Sequence, residues 1–448
     1  MGEGSECSRP FSCVTESKIW ESTIHGSKDG HDLETLKFLM ISTHYPPFNV
    51  GGDAVMVEYL AKELVKRGHE VHVYHNPAVY RALRNVSPAV DHLGTVDGVV
   101  LHPFSSRSGY LDLLLTLVFD KSGAARQRLK ELVDELQPDV VHWHNTKGFI
   151  GVPFAVKNAI TFYTAHDYSF VCPRSNLAKP DMSFCDSPSF CMLCASRWRK
   201  PPQIWRFGNR RVVRLPEEIK VLCPSEFMSR RLRQDGVKVF RVLNNFVPDP
   251  GPPIPMPASE RDTLAYVAML ERHKGPLTLL EAFARSRNQH GFKLKIIGEG
   301  SMKRRLRLAA ASLGISDRVS IPGFVSRQEL ENTLRKAAAI VIPSEWPETA
   351  SLVAMEAFSL GLPAIATNQG GLPETLGNDS GSVMFKAGDV DELAALIVSH
   401  WKRRSEIGKL SIMARNAYEN RFSPNIHISL YLNMIAELSS HAEVESVY

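Results

Sequence analysis

Long hydrophobic runs are missing from this 448-residue sequence. A membrane-spanning helix needs about 20 consecutive apolar residues, whereas the best candidate, residues 111–119, is short and includes Asp112. The first residues mix glycine, serine, glutamate and lysine and lack the apolar segment of a secretory signal. We therefore expect no spanning helix, a flexible leader over residues 1–34, and a cytoplasmic protein whose contact with a membrane is at most peripheral.

Charge of one sign and cysteine are also scarce. The 53 lysines and arginines exceed the 48 aspartates and glutamates by only five, which is too few to indicate a nucleic-acid partner. Seven cysteines in a large chain without a secretory signal favour reduced thiols over a disulfide framework. The composition, 44% hydrophobic and 23% charged, is that of an ordinary globular protein, and the length predicts two or three cores.

Strands and helices alternate along the chain in two similar halves. The first half begins with an apolar strand over 37–43, a glycine-bearing loop, and a helix over 54–66 with apolar residues at three- and four-residue spacing. Residues 248–257 then contain six prolines in ten positions, which neither a helix nor a central strand tolerates. The pattern restarts with a strand over 264–270 and a helix over 276–285.

This alternation predicts an α/β fold with two doubly wound, Rossmann-like domains that face each other across a cleft. Ligands bind such sheets at the carboxyl ends of the strands, so the cleft is the expected site. The predicted organisation after the leader is a first domain (35–247), a proline-rich linker (248–262), a second domain (263–425) and a final helical segment (426–448).

Two glutamates flank a predicted helix start in the second half. Glu348 lies in a loop after a strand, and Glu356 follows eight residues later, in a helix that begins near Ser351. The free N–H groups of that first turn, Ser351, Leu352 and Val353, form an anion site together with the helix dipole. A diphosphate bound there would place a ribose near Glu356 and a sugar near Glu348. Taken alone, the two glutamates are as well explained by a capping acid and a solvated helix residue.

The flanking sequence makes this region distinctive. Gly361-Leu362-Pro363 ends the helix, and residues 369–374 (Gln-Gly-Gly-Leu-Pro-Glu) form a second glycine loop. From Pro343 to Glu374 the sequence resembles the C-terminal signature of the retaining glycosyltransferases of family 4, in which the two glutamates form a Glu-x7-Glu pattern. The resemblance runs from about residue 36 to the C-terminus.

This resemblance implies the glycosyltransferase B fold and an activity. The enzyme would transfer a sugar from a UDP- or GDP-type donor to a hydroxyl acceptor with retention of configuration, in polysaccharide or glycolipid assembly. By the same resemblance the first domain faces the acceptor, a saccharide or lipid-linked saccharide, and the second binds the nucleotide sugar. The final helix crosses back to the first domain, as in relatives.

Other positions agree with the resemblance. Residues 266–275 are similar to the family segment in which a strand leads to Lys-Gly, so Lys274 matches the lysine that neutralises the departing diphosphate. Met269 stands where an arginine is usual, which removes one expected phosphate-binding cation. Gly298 and Glu299 follow a strand and open a helix, where backbone contacts to the nucleotide are expected.

In the first half, glycines and histidines follow predicted strands. Gly51 and Gly52 resemble the family's glycine loop that touches the diphosphate from the opposite side of the cleft, although a simple tight turn also explains them. His166 ends a strand, and by resemblance it lies near the donor sugar and the acceptor. His142 is expected to be a core histidine, and the role of His144 stays open.

The resemblance therefore implies a site that lacks one of the family's phosphate-binding cations. No cofactor is needed for catalysis, because a lysine and a helix start do the work that a divalent ion does elsewhere. A nucleotide-sugar epimerase of the same fold and a non-catalytic partner subunit remain alternatives, and Met269 favours the second. The implied catalytic residues are His166, Lys274 and Glu348, with donor contacts from Gly51, Gly52, Gly298, Glu299, Ser351, Leu352, Val353 and Glu356.

Four cysteines, Cys172, Cys185, Cys191 and Cys194, are separated by 12, 5 and 2 residues. A closing Cys-x2-Cys with two further thiols matches a tetrahedral structural zinc site, here within a cysteine-rich insertion over 170–200. Reduced loop thiols, or two disulfides in an oxidising compartment, are alternatives. A bound ion would staple the insertion over the acceptor side and perform no chemistry.

Residues 197–214 interleave arginine and lysine with aromatic side chains. This pattern suits the headgroup layer of an anionic membrane, which lipid-linked acceptors would make useful. A solvated helix face with interdomain salt bridges explains it equally well. A thiol–metal module for nucleic acid would explain this stretch and the cysteines but leaves the two glutamates without a purpose, so we expect no nucleic-acid partner.

Overall fold

The computed structural model describes residues 35–48, 51–84, 94–104, 109–177, 179, 184–185, 191–197, 203–206 and 212–446. The predicted leader, residues 1–34, lies outside the described residues. The strands are β1 (Lys37–Ser42), β2 (Glu70–His75), β3 (Gly94–Val96), β4 (Val99–Pro103), β5 (Val140–Trp143), β6 (Ile160–Thr164), β7 (Ile219–Cys223), β8 (Val239–Val242), β9 (Thr263–Val267), β10 (Lys293–Ile297), β11 (Val319–Gly323), β12 (Ala337–Ile342), β13 (Ala364–Thr367) and β14 (Val383–Phe385).

The helices complete the description of the elements. They are α1 (Gly52–Lys66), α2 (Pro77–Arg84), α3 (Gly109–Phe119), α4 (Gly123–Leu136), α5 (Cys191–Arg197), α6 (Glu226–Gln234), α7 (Pro276–Ser286), α8 (Lys303–Ser312), α9 (Arg327–Lys336), α10 (Leu352–Ser359), α11 (Leu372–Leu376), α12 (Val390–Lys402), α13 (Ile407–Arg421) and α14 (Pro424–Ser446). Among these described helices, none is both long enough and apolar enough to cross a membrane.

Each half of the chain builds one sheet. The first has the order β3-β4-β2-β1-β5-β6-β7-β8 and is parallel except for the antiparallel pair of β3 and β4. The second has the order β11-β10-β9-β12-β13-β14, with parallel neighbours throughout. Both sheets reverse their strand order beside the first strand, which creates the crevice where doubly wound sheets bind ligands. The predicted α/β fold with two doubly wound domains is confirmed.

The apolar pattern of the sequence explains these layers. All six residues of β12 are buried, because helices cover both faces of a parallel sheet. On α1, Val57, Leu60 and Leu64 are buried against the sheet. This helix starts directly after Gly51, whose φ of 99° lies in the left-handed region that favours glycine. The glycine loop therefore stands at the N-terminus of α1.

The second domain continues into a helix that returns to the first domain. In α14, the Tyr431 hydroxyl lies 2.9 Å from Nδ1 of His142 in β5. The Nδ1 of His427 lies 2.7 Å from the carbonyl oxygen of Asn244, to which it donates. The chain thus crosses between the domains twice, once through the proline-rich residues 248–257 and once before α14.

Candidate active site

The loops that follow β1, β9 and β12 meet at a cavity between the two domains. Gly51 and Gly52 reach it from the first domain, and Lys274 and Glu348 reach it from the second. The cavity has a volume of about 190 Å³. Its other walls are Tyr266, Val267, Ala268, Met269, Val341, Ile342, Pro343, Ser344, Ser351 and Val353. The structure therefore brings many of the predicted donor-binding residues together.

Lys274 and Glu348 form an ion pair at this cavity. The Nζ of Lys274 lies 3.0 Å from Oε1 of Glu348, and the side chains are 25% and 13% exposed. Lys274 ends a 3₁₀ turn that Gly275 closes with a φ of 66°. A Cβ at position 275 would lie 1.8 Å from the carbonyl oxygen of Pro343. Only glycine therefore allows the lysine turn to approach the loop that carries Glu348.

Hydrogen bonds fix this loop, residues 343–351, which we call the Glu348 loop. The backbone N–H of Glu345 donates to the carbonyl of His273 at 2.9 Å, and the Thr278 hydroxyl donates to the Glu345 carboxylate at 2.5 Å. On its other side the N–H of Gly371 donates to the carbonyl of Glu348 at 2.7 Å. The second glycine loop thus positions the backbone of Glu348.

The start of α10 lies beside the ion pair. Ser351 is its N-cap, and the Ser351 hydroxyl accepts the N–H of Ala354 at 3.4 Å. The first N–H groups of a helix have no partner inside it, so those of Leu352 and Val353 are available to an anion near the positive end of the dipole. A Cβ at Gly52 would lie 2.9 Å from Cδ1 of Leu352. The two halves of the predicted diphosphate site are therefore in contact.

Glu356 lies apart from this ion pair, in a neighbouring pocket that Arg327 also lines. Its Oε1 is 3.4 Å from the hydroxyl of Tyr59, to which Arg327 donates at 2.6 Å. Burial raises the pKa of Glu356, and the Arg327 charge and the Tyr59 hydrogen bond oppose that rise. Sequence reasoning missed Tyr59 and Arg327, because neither belongs to a motif. The one available signal was the position of Arg327 at the first turn of a helix.

Gly298 and Glu299 take different positions. A Cβ at Gly298, where φ is 137°, would lie 1.9 Å from the carbonyl oxygen of Ala268. Gly298 therefore lets its loop support the segment that carries Met269. Glu299 instead pairs with Lys303 at 2.5 Å and is 53% exposed, so the structure does not bring its side chain into the cavity.

A column of histidines lies in the first domain. Nε2 of His166 is 3.0 Å from Nδ1 of His144, and His144 stacks on His142 with ring centroids 4.1 Å apart. The Tyr431 hydroxyl closes the column beside His142. Burial lowers the pKa of all three histidines, in His166 against the opposing charge of Asp53. The histidines are therefore held in the neutral form.

The Glu348 loop also contacts the first domain. Tyr168 donates to the carbonyl of Pro347 at 3.2 Å. The Thr349 hydroxyl donates to the carbonyl of His166 at 3.1 Å, and Ser225 donates to the carbonyl of Thr349 at 2.6 Å. These hydrogen bonds connect the loop that carries Glu348 to the backbone of His166, so the predicted catalytic residues of both domains are held close to each other.

A second cavity lies in the first domain, where β5 and β6 end. Asn145 and Lys147 line one side, and Trp205 and Arg206 line the other. This cavity has a volume of about 60 Å³. The guanidinium carbon of Arg206 lies 4.7 Å from the ring centroid of Trp205.

Arg206 and Trp205 belong to the stretch 197–214, for which the sequence suggests a membrane-facing or solvated role. Arg206 is instead turned into the domain, because its guanidinium donates to the backbone carbonyls of Ser169 and Phe170. Burial lowers the pKa of Arg206 to about 10. The other members of the stretch at 198–202 and 207–211 lie outside the described residues.

The cysteines of the predicted zinc site lie in the insertion. Cys172 is buried, and Cys185, Cys191 and Cys194 are half-buried. Burial raises the pKa of Cys185 and of Cys194. In the described part of the chain, no three histidine, cysteine, aspartate or glutamate side chains are grouped closely enough to hold a metal ion. The zinc site therefore stays a prediction.

Sequence comparison identifies relatives of both domains. Residues 50–249 match the family model described as Glycosyltransferase Family 4, and residues 255–420 match the one described as Glycosyl transferases group 1. An uncharacterized glycosyltransferase of Methanocaldococcus jannaschii is 23% identical over 412 residues, which cover 88% of this chain and 97% of the relative. Glycogen synthase of Mycobacterium tuberculosis is 26% identical over 385 residues, covering 81% of this chain and 86% of the relative.

Solved structures show the same architecture. Sucrose-phosphate synthase from Thermosynechococcus elongatus has a TM-score of 0.66 at 18% identity and covers 91% of this chain and 100% of its own. Anabaena HepE in complex with UDP and glucose has a TM-score of 0.60 at 15% identity, covering 89% and 99%. The chain thus has the two-domain fold of the B-type glycosyltransferases. The chain belongs to the group 1 glycosyltransferases of family 4, which confirms the resemblance found in its sequence.

Proposed function

We propose that this glycosyltransferase moves a sugar from a UDP- or GDP-type donor to a hydroxyl of a saccharide or lipid-linked saccharide, with retention of configuration. The supporting observation is the Lys274–Glu348 pair beside the start of α10. An ammonium and a helix start suit a diphosphate, and a carboxylate suits sugar hydroxyls. Two relatives agree by name: one is a glycogen synthase, and HepE was solved with UDP and glucose.

In the proposed step, the acceptor hydroxyl attacks the anomeric carbon on the face that the diphosphate leaves. The bond from that carbon to the acceptor oxygen forms, and the bond to the phosphate oxygen breaks with its electron pair. The departing phosphate oxygen takes the acceptor proton. Lys274 and the N–H groups of Leu352 and Val353 stabilise the charge that develops on the diphosphate. We therefore propose that transfer needs no divalent ion or other cofactor.

Donor binding exchanges the partners of the ion pair. The Lys274 ammonium turns from Glu348 to the diphosphate, and the Glu348 carboxylate accepts hydrogen bonds from the donor sugar. On the opposite side, Nε2 of His166 faces His144, so Nδ1 is the atom that meets a sugar hydroxyl. The column of neutral histidines fixes the orientation of that ring.

We place the acceptor in the first-domain cavity. Trp205 offers an aromatic ring, and Asn145 and Lys147 offer polar groups at the ends of the strands. A mainly apolar wall with a few polar groups is the usual make-up of a small-molecule site. The same cavity is bounded by the cysteine-rich insertion through Pro173 and Ser175.

A panel of nucleotide sugars tests the donor. A bound donor stabilises the fold by mass action, so the matching UDP- or GDP-sugar raises the melting temperature most. NMR of the product formed with acceptor oligosaccharides, without added Mg²⁺ or Mn²⁺, then reports the anomeric configuration. An inverted product overturns retention, and release of an altered sugar without acceptor shows an epimerase. Donor binding without any turnover of the acceptor panel supports a partner subunit.

A further inference from the structure

Glu374 is the last residue of the second glycine loop, and its side chain crosses to the first domain. Its Oε2 accepts the backbone N–H of Glu226 and its Oε1 accepts that of Phe227, both at 2.6 Å. These two residues begin α6, which follows directly after its N-cap, Ser225. The first N–H groups of a helix have no partner inside the helix. A carboxylate of the second domain therefore caps a helix of the first.

This cap complements the one that α6 provides for itself. The Ser225 hydroxyl accepts the N–H of Met228, the third of the helix, at 3.2 Å. Glu374 accepts the first two, where the positive end of the helix dipole stabilises a carboxylate. Arg230 adds an ion pair, with Nη2 3.3 Å from Oε1 of Glu374. Because the Arg230 side chain is 65% exposed, water screens this pair, and the two backbone N–H groups are the main partners of the carboxylate.

The segment that carries Glu374 also holds the backbone of Glu348. The N–H of Gly371 donates to the Glu348 carbonyl at 2.7 Å. A Cβ at position 371 would lie 2.4 Å from the carbonyl oxygen of Thr349 and 3.1 Å from the Ser225 hydroxyl oxygen. Glycine at this position thus lets the second glycine loop, the Glu348 loop and the start of α6 meet. Two residues separate Gly371 from Glu374, so a shift of the cap displaces the contact with Glu348.

The opposite side of the Glu348 loop is fixed within the second domain. The Glu345 N–H donates to the His273 carbonyl, and Glu348 itself pairs with Lys274. All four residues belong to the second domain, so these contacts persist when the domains separate. The cap by Glu374 does not persist, because its donors and its acceptor come from different domains.

We propose that Glu374 is a positioning residue for sugar transfer, because its capping of α6 holds the backbone of Glu348 against the first domain. The cap forms when the two domains approach each other, and it therefore couples closure of the cleft to the placement of Glu348. In this role Glu374 touches neither the donor nor the acceptor. The inference rests on the proposed role of Glu348 in transfer.

Amide hydrogen exchange of the full chain, followed by NMR, tests whether the cap exists in solution. In Glu374→Ala we expect the amides of Glu226 and Phe227 to exchange roughly tenfold faster than in the wild-type chain, because both lose their acceptor. The Met228 amide, which keeps Ser225 as its acceptor, is the internal reference and should change little. Unchanged exchange of the Glu226 and Phe227 amides overturns the proposal.

Steady-state kinetics, with the nucleotide sugar and acceptor that the panel selects, tests the positioning role. Glu374→Ala should lower kcat about 10–100-fold and leave the KM for donor within about threefold, because the donor residues of the second domain keep their contacts. Glu374→Gln should lie between this variant and the wild type, since the amide keeps one oxygen that accepts an N–H. A wild-type kcat in Glu374→Ala overturns the proposal, as does a donor KM that rises by the factor by which kcat falls. If Glu374→Ala does not fold, the exchange and kinetics of Glu374→Gln decide the question.

Two controls separate positioning from lost stability. Asp389→Ala removes the side-chain cap of α12, where Asp389 accepts the N–H of Glu392 at 2.9 Å within the second domain. Arg230→Gln removes the exposed ion pair but leaves the capping carboxylate. Both should keep kcat within about twofold of the wild type, although Asp389→Ala should lower the melting temperature as Glu374→Ala does. Equal losses of kcat in Asp389→Ala and Glu374→Ala would overturn the proposal, because lost capping alone would then explain the result.

These outcomes are distinct from those that test the proposed function. A wild-type chain that transfers no sugar from any donor of the panel contradicts the proposed function, and the positioning role with it. A wild-type chain that transfers sugar, together with a fully active Glu374→Ala, contradicts this inference alone.

Discussion

The second domain lines the cleft with a charged pair, whereas the first domain brings two glycines to it and holds a column of neutral histidine rings next to the Glu348 loop. Lys274 and Glu348 are partly exposed and paired with each other. His166 and His144 are instead part of a column whose pKa values burial lowers. A group that must stabilise a departing diphosphate has to keep its charge and exchange partners. A group that orients a sugar hydroxyl is better kept neutral and fixed in direction.

The two sides are also built differently along the chain. Lys274 and Glu348 are brought together by contacts among residues 271–371, with glycines where the backbones touch. The histidine column ends at Tyr431, which arrives from the last helix. The Lys274–Glu348 pair is therefore formed within the second domain alone, whereas the histidine column depends on α14 packing back on the first domain.

Removing the charge on the second-domain side should have the largest effect. Lys274→Ala should lower kcat by about 10²–10⁴-fold, because the developing diphosphate charge loses its cation. Steady-state kinetics with saturating donor measures this. The matched control is Lys303→Ala, which removes the lysine of the Lys303–Glu299 pair outside the cavity. Equal losses in both variants would contradict the role of Lys274.

Moving the lysine turn without removing the lysine should have the next largest effect. The Cβ of Gly275→Ala would meet the Pro343 carbonyl at 1.8 Å, so the turn has to shift, and we expect kcat to fall about 10–100-fold. Gly68→Ala is the control, because its φ of 87° is also positive but no atom lies within 4 Å of the added Cβ. Comparable activity losses would show that backbone strain alone explains the result.

Lowering the pH should reduce the free energy of unfolding through the neutral histidine column of the first domain. Because burial lowers the pKa of His142, His144 and His166, the unfolded chain binds protons first as the pH falls below about 6.5. The free energy of unfolding is therefore highest above that pH, where these histidines are neutral in both states, and it falls as the pH drops below that value. Urea unfolding at pH 7.5 and 5.5 measures the loss, and His144→Gln should reduce it by about 1 kcal/mol. An unchanged slope in that variant would contradict the neutral column.

The smallest effect is expected at Tyr59, which belongs to the first domain and contacts Arg327 and Glu356 of the second. Tyr59→Phe removes the hydroxyl that bridges Arg327 and Glu356, and we expect the KM for donor to rise about 2–10-fold with kcat nearly unchanged. Tyr80→Phe, a tyrosine on α2 whose ring packs on Phe48, serves as the control. A fall in kcat with unchanged KM would place Tyr59 in the chemical step.

The donor side was largely readable from the sequence because its residues stand in short, local patterns. Strand, glycine, lysine turn and helix start follow one another within a few residues at Lys274 and Glu348, so the pattern predicts that both residues follow strands, and the resemblance to family 4 supplies their expected roles. The fold was predictable for the same reason, since the alternation of strands and helices is a local signal.

Other parts depend on distant contacts that carry no local signal. Tyr431 lies 289 positions from His142, and Arg327 lies 268 positions from Tyr59. The inward turn of Arg206 is decided by backbone carbonyls after β6 and not by the pattern of its own stretch. Glu299 has the expected loop, but its pairing with Lys303 directs the side chain elsewhere.

The return of the chain before α14 has a mechanical consequence. The two passages between the domains run side by side, because Val247 donates its N–H to the carbonyl of Phe422 at 3.2 Å and accepts from the Tyr418 hydroxyl at 3.1 Å. Arg415 of α13 forms an ion pair with Asp249 in the proline-rich segment, with Nη2 2.8 Å from Oδ2. Two connecting segments that are hydrogen-bonded to each other bend more easily about one axis than they twist. We therefore expect the cleft to open and close by bending at this double connection and not by twisting.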